Sequence, residues 1–144
     1  MHYQAAARVA PGGEGYIDTQ QSRIQFDGSA GSGDALPGPA HLLAASLCAC
    51  MLKNVERMSG LLKFKYRAAS IEVDATRDEP PPRIAGLRYT LRVETEESEK
   101  RLSLLHRNIL KHGTITNTLA AACDVQGELV GVRQDGTIMK STRD

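Results

Sequence analysis

The sequence predicts one α+β domain over residues 1–144, with antiparallel strands around one long buried helix. Two observations predict this class. Strand-like and helix-like segments follow one another in blocks instead of strict alternation, which favours α+β over a doubly wound sheet. The segment 42–52 is also apolar almost throughout, which is typical of a helix inside a core. A length of 144 residues fits a single domain.

The N-terminal part reads as short strands, at residues 3–9, 15–18 and 22–27. In the third strand, Ile24 and Phe26 alternate with polar residues, as expected for a half-buried strand. Turn signals stand at residues 11–13 and 27–28. The stretch 28–38 is rich in Gly, Ser, Asp and Pro and is predicted to be a mobile loop.

The central helix is predicted at residues 39–59, with Pro39 in its first turn and Gly60 just past its end. Through Leu52 it is apolar on nearly every side, so we expect this part to be buried. Residues 53–57 are amphipathic and should emerge into water.

The second half predicts a hairpin followed by two helices and a strand. Residues 70–77 and 84–93 alternate as strands, and the tip 78–82 contains three prolines, which cannot donate to a ladder. A helix follows at 97–112, ended by Gly113. A short helix at 116–122 and a strand at 125–132 complete the prediction, and the tail after Asp135 is expected to fray.

Charge and hydropathy exclude several classes of partner. The net charge is +1, from 18 basic and 17 acidic residues that are interspersed, so we expect no nucleic-acid partner. The longest apolar run has 11 residues, whereas a membrane span needs about 20, so we expect no membrane insertion. The first residues show neither the basic nor the apolar region of a secretory signal, which predicts a cytoplasmic protein.

The three cysteines predict thiol chemistry or packing. Cys48, Cys50 and Cys123 form no metal-ligand spacing and no disulfide framework, so we expect no metal and no cofactor. Cys48 and Cys50 lie roughly 200° apart around a helix, so they face away from each other.

The segment from Pro37 to Met51, PGPAHLLAASLCACM, resembles the central-helix signature of the OsmC/Ohr family (osmotically inducible and organic hydroperoxide resistance proteins). Three further features match in order: Phe26-Asp27-Gly28, the proline tip within residues 77–84, and Thr116-Asn117-Thr118-Leu119. The resemblance is closest to the short OsmC-like branch of the family. It implies an intertwined homodimer with thiol sites at the interface.

The resemblance also implies site residues. In the family, one cysteine attacks an organic hydroperoxide, a second cysteine resolves the sulfenic acid, and an arginine and a glutamate support the first. Cys50 falls on the attacking cysteine. The glutamate position is Ala40, and the resolving position is Gly113. Gln25 stands at the arginine position, and Arg23 lies two residues earlier on the same strand face.

We therefore take Cys50 and Arg23 as the candidate catalytic residues. Cys50 lies too far along its helix for the N-terminal dipole to favour the thiolate, so a cation is needed, and Arg8, Arg23 and Arg77 are the alternatives. The simpler interpretation of Cys50 is an inert packing residue. We interpret Cys123 as a core residue, His41 and His112 as helix-terminal histidines, and Asp78-Glu79 as a solvated loop tip.

Two functions remain open from the sequence. The first is a weak, thiol-dependent hydroperoxide reductase that uses Cys50 as nucleophile and an external thiol in place of the missing resolving cysteine. The second is a non-catalytic dimer that binds a small apolar molecule. A purely structural module has no specific support in the sequence.

Overall fold

The computed structural model describes residues 1–143 and has the predicted α+β class. The chain divides into two compact units between Leu43 and Ala44. The elements are β1 (Ala6–Val9), β2 (Glu14–Thr19), β3 (Ser22–Asp27), α1 (Pro39–Leu62), β4 (Ala68–Asp78), β5 (Arg83–Glu94), α2 (Glu99–His112), α3 (Thr114–Ala122), β6 (Asp124–Val132) and β7 (Ile138–Arg143).

The N-terminal unit contains an antiparallel sheet with the order β1-β2-β3. Gly15 is buried there because the ring of Phe26 lies where a β-carbon would be, with its nearest carbon at 2.6 Å. The apolar side chains of Val9 and Ile24 remain 60% and 38% exposed. This small sheet therefore has little hydrophobic core of its own.

Asp27 organises the loop that leads into α1. Its carboxylate accepts hydrogen bonds from the Ser29 backbone N–H at 2.9 Å, from the Ser29 hydroxyl at 2.6 Å and from the Gly33 N–H at 3.0 Å. These donors lower the pKa of Asp27, with the Ser29 hydroxyl contributing most. The Asp27 N–H also donates to the Pro37 carbonyl at 2.9 Å. The segment predicted to be a mobile loop is thus closed by Asp27.

Helix α1 runs past Gly60, so the prediction that Gly60 ends it was wrong. The helix instead ends in a Schellman motif, in which Lys63 adopts a left-handed conformation (φ 53°) and the Phe64 N–H donates to the Ser59 carbonyl at 2.9 Å. The guanidinium of Arg101 donates to the last carbonyls, those of Leu62 and Lys63, at 2.9 and 3.0 Å. The buried side chain of Phe64 anchors the chain just past the helix. Helix α1 therefore ends at Leu62, two residues after Gly60.

The second unit contains a sheet with the order β4-β5-β6-β7. The β4–β5 and β6–β7 pairs are antiparallel, whereas β5 and β6 are parallel because α2 and α3 connect them. The prediction of a frayed tail after Asp135 was wrong, since residues 138–143 form β7 and pair with β6. The pattern of alternation there is too short to stand out from the sequence.

The core of the second unit combines one face of the sheet with one stripe of each long helix. Leu87, Tyr89, Leu91 and Val93 of β5 are at most 3% exposed. The buried residues of α1 are Leu47, Met51, Asn54, Val55, Met58 and Ser59. The opposite side of its apolar part is open, since Ala45 and Ala49 are exposed within the single chain. No helix within residues 1–143 is long and apolar enough to span a membrane.

A buried histidine links three elements of this core. His106 of α2 is 2% exposed, and its Nε2 lies 2.7 Å from the Tyr89 hydroxyl while its Nδ1 lies 2.8 Å from the Ser141 hydroxyl. Burial, together with the charge of Arg143, lowers the pKa of His106 to about 4. The imidazole is therefore neutral at pH 7 and satisfies both hydroxyl groups.

Replacing Lys63 by glycine should stabilise the protein. The change should raise the free energy of unfolding by roughly 0.5 kcal/mol, because relief of the left-handed conformation outweighs the extra backbone entropy of glycine. Urea unfolding at fixed protein concentration measures this. Lys65→Gly, two residues away where φ is not positive, is the matched control and should be destabilising. A loss of stability in both variants would contradict the role assigned to the Lys63 backbone.

Acid should destabilise the fold through His106. The unfolded histidine binds a proton below about pH 6.5, whereas the folded one does so only near 4. Stability is thus complete above pH 6.5 and is lost as the pH falls toward 4, by up to about 3 kcal/mol. His106→Gln should flatten this part of the urea-unfolding profile, and His112→Gln, on an exposed side chain, should leave it unchanged. Equal slopes in wild type and His106→Gln would rule out His106 as the source.

Candidate active site

Cys50 lies on the flank of the buried stripe of α1. Its neighbour Met51 is fully buried, and Ala49 on its other side is exposed, so Cys50 itself is half-buried. The helical rotation thus leaves the thiol partly open to solvent while its stem packs. This setting is compatible with a reactive thiol and does not correspond to a cysteine sealed in the core.

Asn54 is the residue that contacts the Cys50 sulfur. Its side-chain nitrogen donates to the Cys50 carbonyl at 2.9 Å and lies 3.6 Å from Cys50 Sγ, within hydrogen-bond range for sulfur. Side chains on a helix tilt toward its N-terminus, which brings residue 54 back onto residue 50. Within residues 1–143, no other hydrogen-bond donor reaches the Cys50 sulfur.

Cys48 lies on the opposite flank of the same stripe. Burial raises the pKa of the Cys48 thiol, which disfavours the thiolate there. Because α1 is helical through both positions, the two thiols face away from each other, as the sequence predicts. All three cysteines are free thiols.

Arg23 lies on the N-terminal sheet with its guanidinium already engaged. Its Nε and a terminal nitrogen donate to the two carboxylate oxygens of Asp18, at 2.7 and 3.0 Å, and it stacks over the Tyr16 ring at 5.3 Å. The hydrogen bond from Arg23 lowers the pKa of Asp18. The structure therefore provides Arg23 with an aspartate partner within its own unit.

The two alternative arginines differ from Arg23 in their surroundings. Arg77 pairs with Glu79 at 2.7 Å on the exposed hairpin tip. Arg8 lines a cavity of about 320 Å³ together with Tyr16 and Arg23, and it forms no ion pair with any residue in the described part of the chain. Arg8 is thus the one of the three whose guanidinium is not committed to a carboxylate.

Gly113, at the position where the resemblance expects a resolving cysteine, is closely packed. Its φ of −77° suits any residue, so the glycine is not required by the backbone. The glycine is required for steric reasons, because a β-carbon at residue 113 would lie 2.7 Å from Thr116 Oγ1 and 3.1 Å from the Ile109 carbonyl. Thr116 is 1% exposed and its hydroxyl fills the volume that a cysteine side chain would enter.

Cys123 has a structural role at the end of α3. Its thiol donates to the Leu119 carbonyl at 3.4 Å, and its backbone N–H donates to the same carbonyl at 2.9 Å. It therefore caps α3 at the end opposite Gly113, about 15 Å along the helix axis. Cys123 is half-buried and packs at the helix end, so the interpretation of Cys123 as a core residue was wrong.

The remaining candidates are structural or exposed. His41 Nδ1 accepts the Gly38 N–H at 3.0 Å at the start of α1, and His112 is the exposed last residue of α2. Asp78 and Glu79 lie in the exposed tip of the β4–β5 hairpin, as predicted. Across residues 1–143, no cluster of His, Cys, Asp and Glu side chains could hold a metal ion.

The sequence analysis assigned no role to two residues that make buried contacts in the structure, Asn54 and His106. Asn54 belongs to the segment 53–57 that was predicted to emerge into water, and this prediction was wrong for Asn54 and Val55, which are 7% and 0% exposed. His106 stands one position after Leu105 on the apolar face of α2. Helical spacing marks both as inward-facing, but only the structure supplies their partners.

Comparison with known proteins agrees with this fold. The family model for OsmC-like proteins matches residues 31–128. An OsmC-like protein from Mycoplasma pneumoniae superposes with a TM-score of 0.79 at 18% identity, covering 90% of this chain and 97% of that one. No curated protein sequence matches the chain.

Two further solved structures carry peroxide-related names. An organic hydroperoxide resistance protein OsmC from Legionella pneumophila gives a TM-score of 0.68 at 17% identity, covering 88% of this chain and 96% of that one. A candidate organic hydroperoxide resistance protein from Vibrio cholerae, with captopril in one of its active sites, gives 0.68 at 18% identity, covering 90% and 92%. At these identities the likeness establishes the fold alone. Because the family model spans well over half of the sequence, this chain belongs to the OsmC-like protein family.

Proposed function

We propose that this protein is a weak, one-thiol hydroperoxide reductase in which Cys50 is the nucleophile and an external thiol is the reductant. The observation that carries the proposal is the state of Cys50: it lies half-buried on α1 of an OsmC-like fold, with the Asn54 amide directed at its sulfur. Organic hydroperoxide resistance is the named role of the similar structures from Legionella pneumophila and Vibrio cholerae, which supports a peroxide as substrate.

The proposed reaction begins with attack of the Cys50 thiolate on an oxygen of the hydroperoxide. The S–O bond forms as the O–O bond breaks, the sulfur is oxidised to a sulfenic acid, and the alkoxide leaves and takes a proton from water. An external thiol then attacks the sulfenic sulfur and water leaves. A second external thiol releases Cys50 and departs as the oxidised disulfide, so the peroxide is reduced at the expense of two thiols.

An external reductant is proposed because the chain places no second thiol near the expected position. Thr116 fills the volume beside Gly113. The Cys123 thiol donates a hydrogen bond to the Leu119 carbonyl at the other end of α3. Without an external thiol, the sulfenic acid should persist or proceed to sulfinic acid.

Low efficiency is proposed because the supporting charges are missing or engaged. An ordinary thiol is only a few per cent ionised at neutral pH, so the rate depends on groups that favour the thiolate. Ala40 supplies no carboxylate, and Arg23 is paired with Asp18. We retain Arg23 as the proposed supporting cation, which requires its guanidinium to exchange Asp18 for the Cys50 sulfur.

We further propose an obligate homodimer formed by one OsmC-like domain per chain, located in the cytoplasm. Ala45 and Ala49 leave the opposite side of an apolar helix open, and Val9 and Ile24 leave the N-terminal sheet without cover. Apolar surfaces of this kind in a single chain mark a protein–protein interface. The family match crosses the boundary at Leu43, which supports one domain over residues 1–144.

The second candidate function is a non-catalytic protein that binds a small apolar molecule. The missing glutamate at Ala40 and the absence of a thiol at Gly113 favour it. The two functions differ in one observable property, namely whether peroxide is consumed in repeated turnovers.

Among the three cysteines, peroxide consumption should depend on Cys50. With organic hydroperoxide and excess dithiothreitol, the wild type should turn over repeatedly, Cys50→Ala should fall to the rate of dithiothreitol by itself, and Cys48→Ala and Cys123→Ala should stay within about twofold of wild type. Arg23→Gln should lower the rate several-fold, and Arg77→Gln, an arginine with a similar exposed carboxylate partner, should not. Absence of turnover in the folded wild type would favour the binding protein.

Sedimentation should show a dimer at micromolar concentration. Ala49→Glu should shift the protein toward monomer, because it places a charge on the apolar side of α1 that the single chain leaves open. Ala120→Glu, on an exposed alanine of α3, is the control and should remain dimeric. A wild type that sediments as a stable monomer would contradict the dimer.

A further inference from the structure

Asn54 is a polar side chain in a place where an apolar one would be expected. It is 7% exposed and belongs to the buried stripe of α1, between Met51 and Val55, which are both fully buried. Asparagine is a poor helix former, and burying its amide costs free energy unless the amide is hydrogen-bonded. A methionine or leucine at this position would serve the core better.

The contact that Asn54 makes does not repair a defect in the helix. In an α-helix the Cys50 carbonyl already accepts the backbone N–H of residue 54, so no orphan carbonyl needs the side chain. The carbonyl can only accept, which fixes the amide orientation with its nitrogen toward Cys50. One N–H of that nitrogen serves the carbonyl at 2.9 Å, and the sulfur at 3.6 Å lies within reach of the other.

We propose that Asn54 is a thiolate-stabilising residue, whose amide N–H favours the anionic form of the Cys50 sulfur and orients it for reaction. This inference rests on the proposed role of Cys50 as nucleophile. A donor that faces a sulfur bonds the thiolate more strongly than the thiol, so it stabilises the reactive form. The contact needs no movement between elements, because both residues belong to one helix.

Asn54 is the group that already contacts the Cys50 sulfur, whereas the proposed support from Arg23 requires that arginine to leave Asp18. Lys53, the charged residue nearest in sequence to Cys50, is exposed. No ion pair or hydrogen bond from another element reaches Cys50 Sγ within the described residues. A neutral amide stabilises a thiolate less than a guanidinium does, which agrees with a nucleophile of low efficiency.

The test is the pH dependence of Cys50 alkylation by iodoacetamide in the folded protein, with Cys48 and Cys123 replaced by alanine. Asn54→Leu removes the donor at similar size and should raise the midpoint of the rate profile by about one pH unit, a tenfold lower thiolate fraction at neutral pH. Asn54→Asp replaces the donor by a carboxylate and should raise the midpoint further. Circular dichroism and urea unfolding verify that each variant is folded.

The chain offers a matched control in Asn108. Its side-chain nitrogen donates to the Leu104 carbonyl at 2.9 Å, the same four-residue contact on α2 without a cysteine. Asn108→Leu should leave the alkylation midpoint unchanged, so a shift confined to Asn54 variants separates thiolate stabilisation from a general effect on helices. If Asn54→Leu fails to fold, Asn54→Ser decides the matter, because serine keeps a bond to the carbonyl but is too short to reach the sulfur.

A midpoint in folded Asn54→Leu or Asn54→Ser that coincides with wild type would overturn the proposal. Alkylation requires no peroxide turnover, so the two proposals fail separately. A midpoint shift without any peroxide consumption would leave Asn54 in its role and disprove the reductase. Peroxide turnover without a midpoint shift would support the reductase and disprove the role of Asn54.

Discussion

Burial of one stripe of α1 sets the rotation of that helix, and the geometry of the candidate site depends on it. Leu47, Met51 and Val55 are fully buried, which places Cys50 on one flank of the stripe and Cys48 on the other. The same rotation turns Asn54 inward, onto the Cys50 sulfur. It also turns Ala45 and Ala49 outward, so the thiol site and the proposed dimer surface share one cause.

Much of the fold could be predicted because periodicity and turn residues are local signals. The strands of the β4–β5 hairpin and the end of α2 at Gly113 came close to their observed positions. The C-terminus of α1 did not, because Gly60 is a plausible stop and the actual stop depends on the distant Arg101 guanidinium. Strand β7 was missed because its pairing with β6 is what stabilises it.

For the site, the sequence led to Cys50 as the proposed nucleophile but did not predict its environment. The resemblance indicated Cys50 as the candidate. Helix geometry predicted that Cys48 faces away from Cys50, and the structure confirms this second point. What surrounds the sulfur could not be predicted, because a contact between Asn54 and Cys50 depends on which face of α1 is buried. The pairing of Arg23 with Asp18 similarly follows from the register of β2 and β3.

In the proposed reaction, Cys50 attacks a peroxide and finds no partner thiol within its own chain. The most direct measurement is peptide mass spectrometry after one equivalent of organic hydroperoxide, with dimedone present to trap sulfenic acid. We expect the dimedone adduct on Cys50 alone, with Cys48 and Cys123 unmodified and no disulfide. A mapped disulfide between Cys50 and Cys123, or a folded protein in which Cys50 stays unmodified, would contradict the claim.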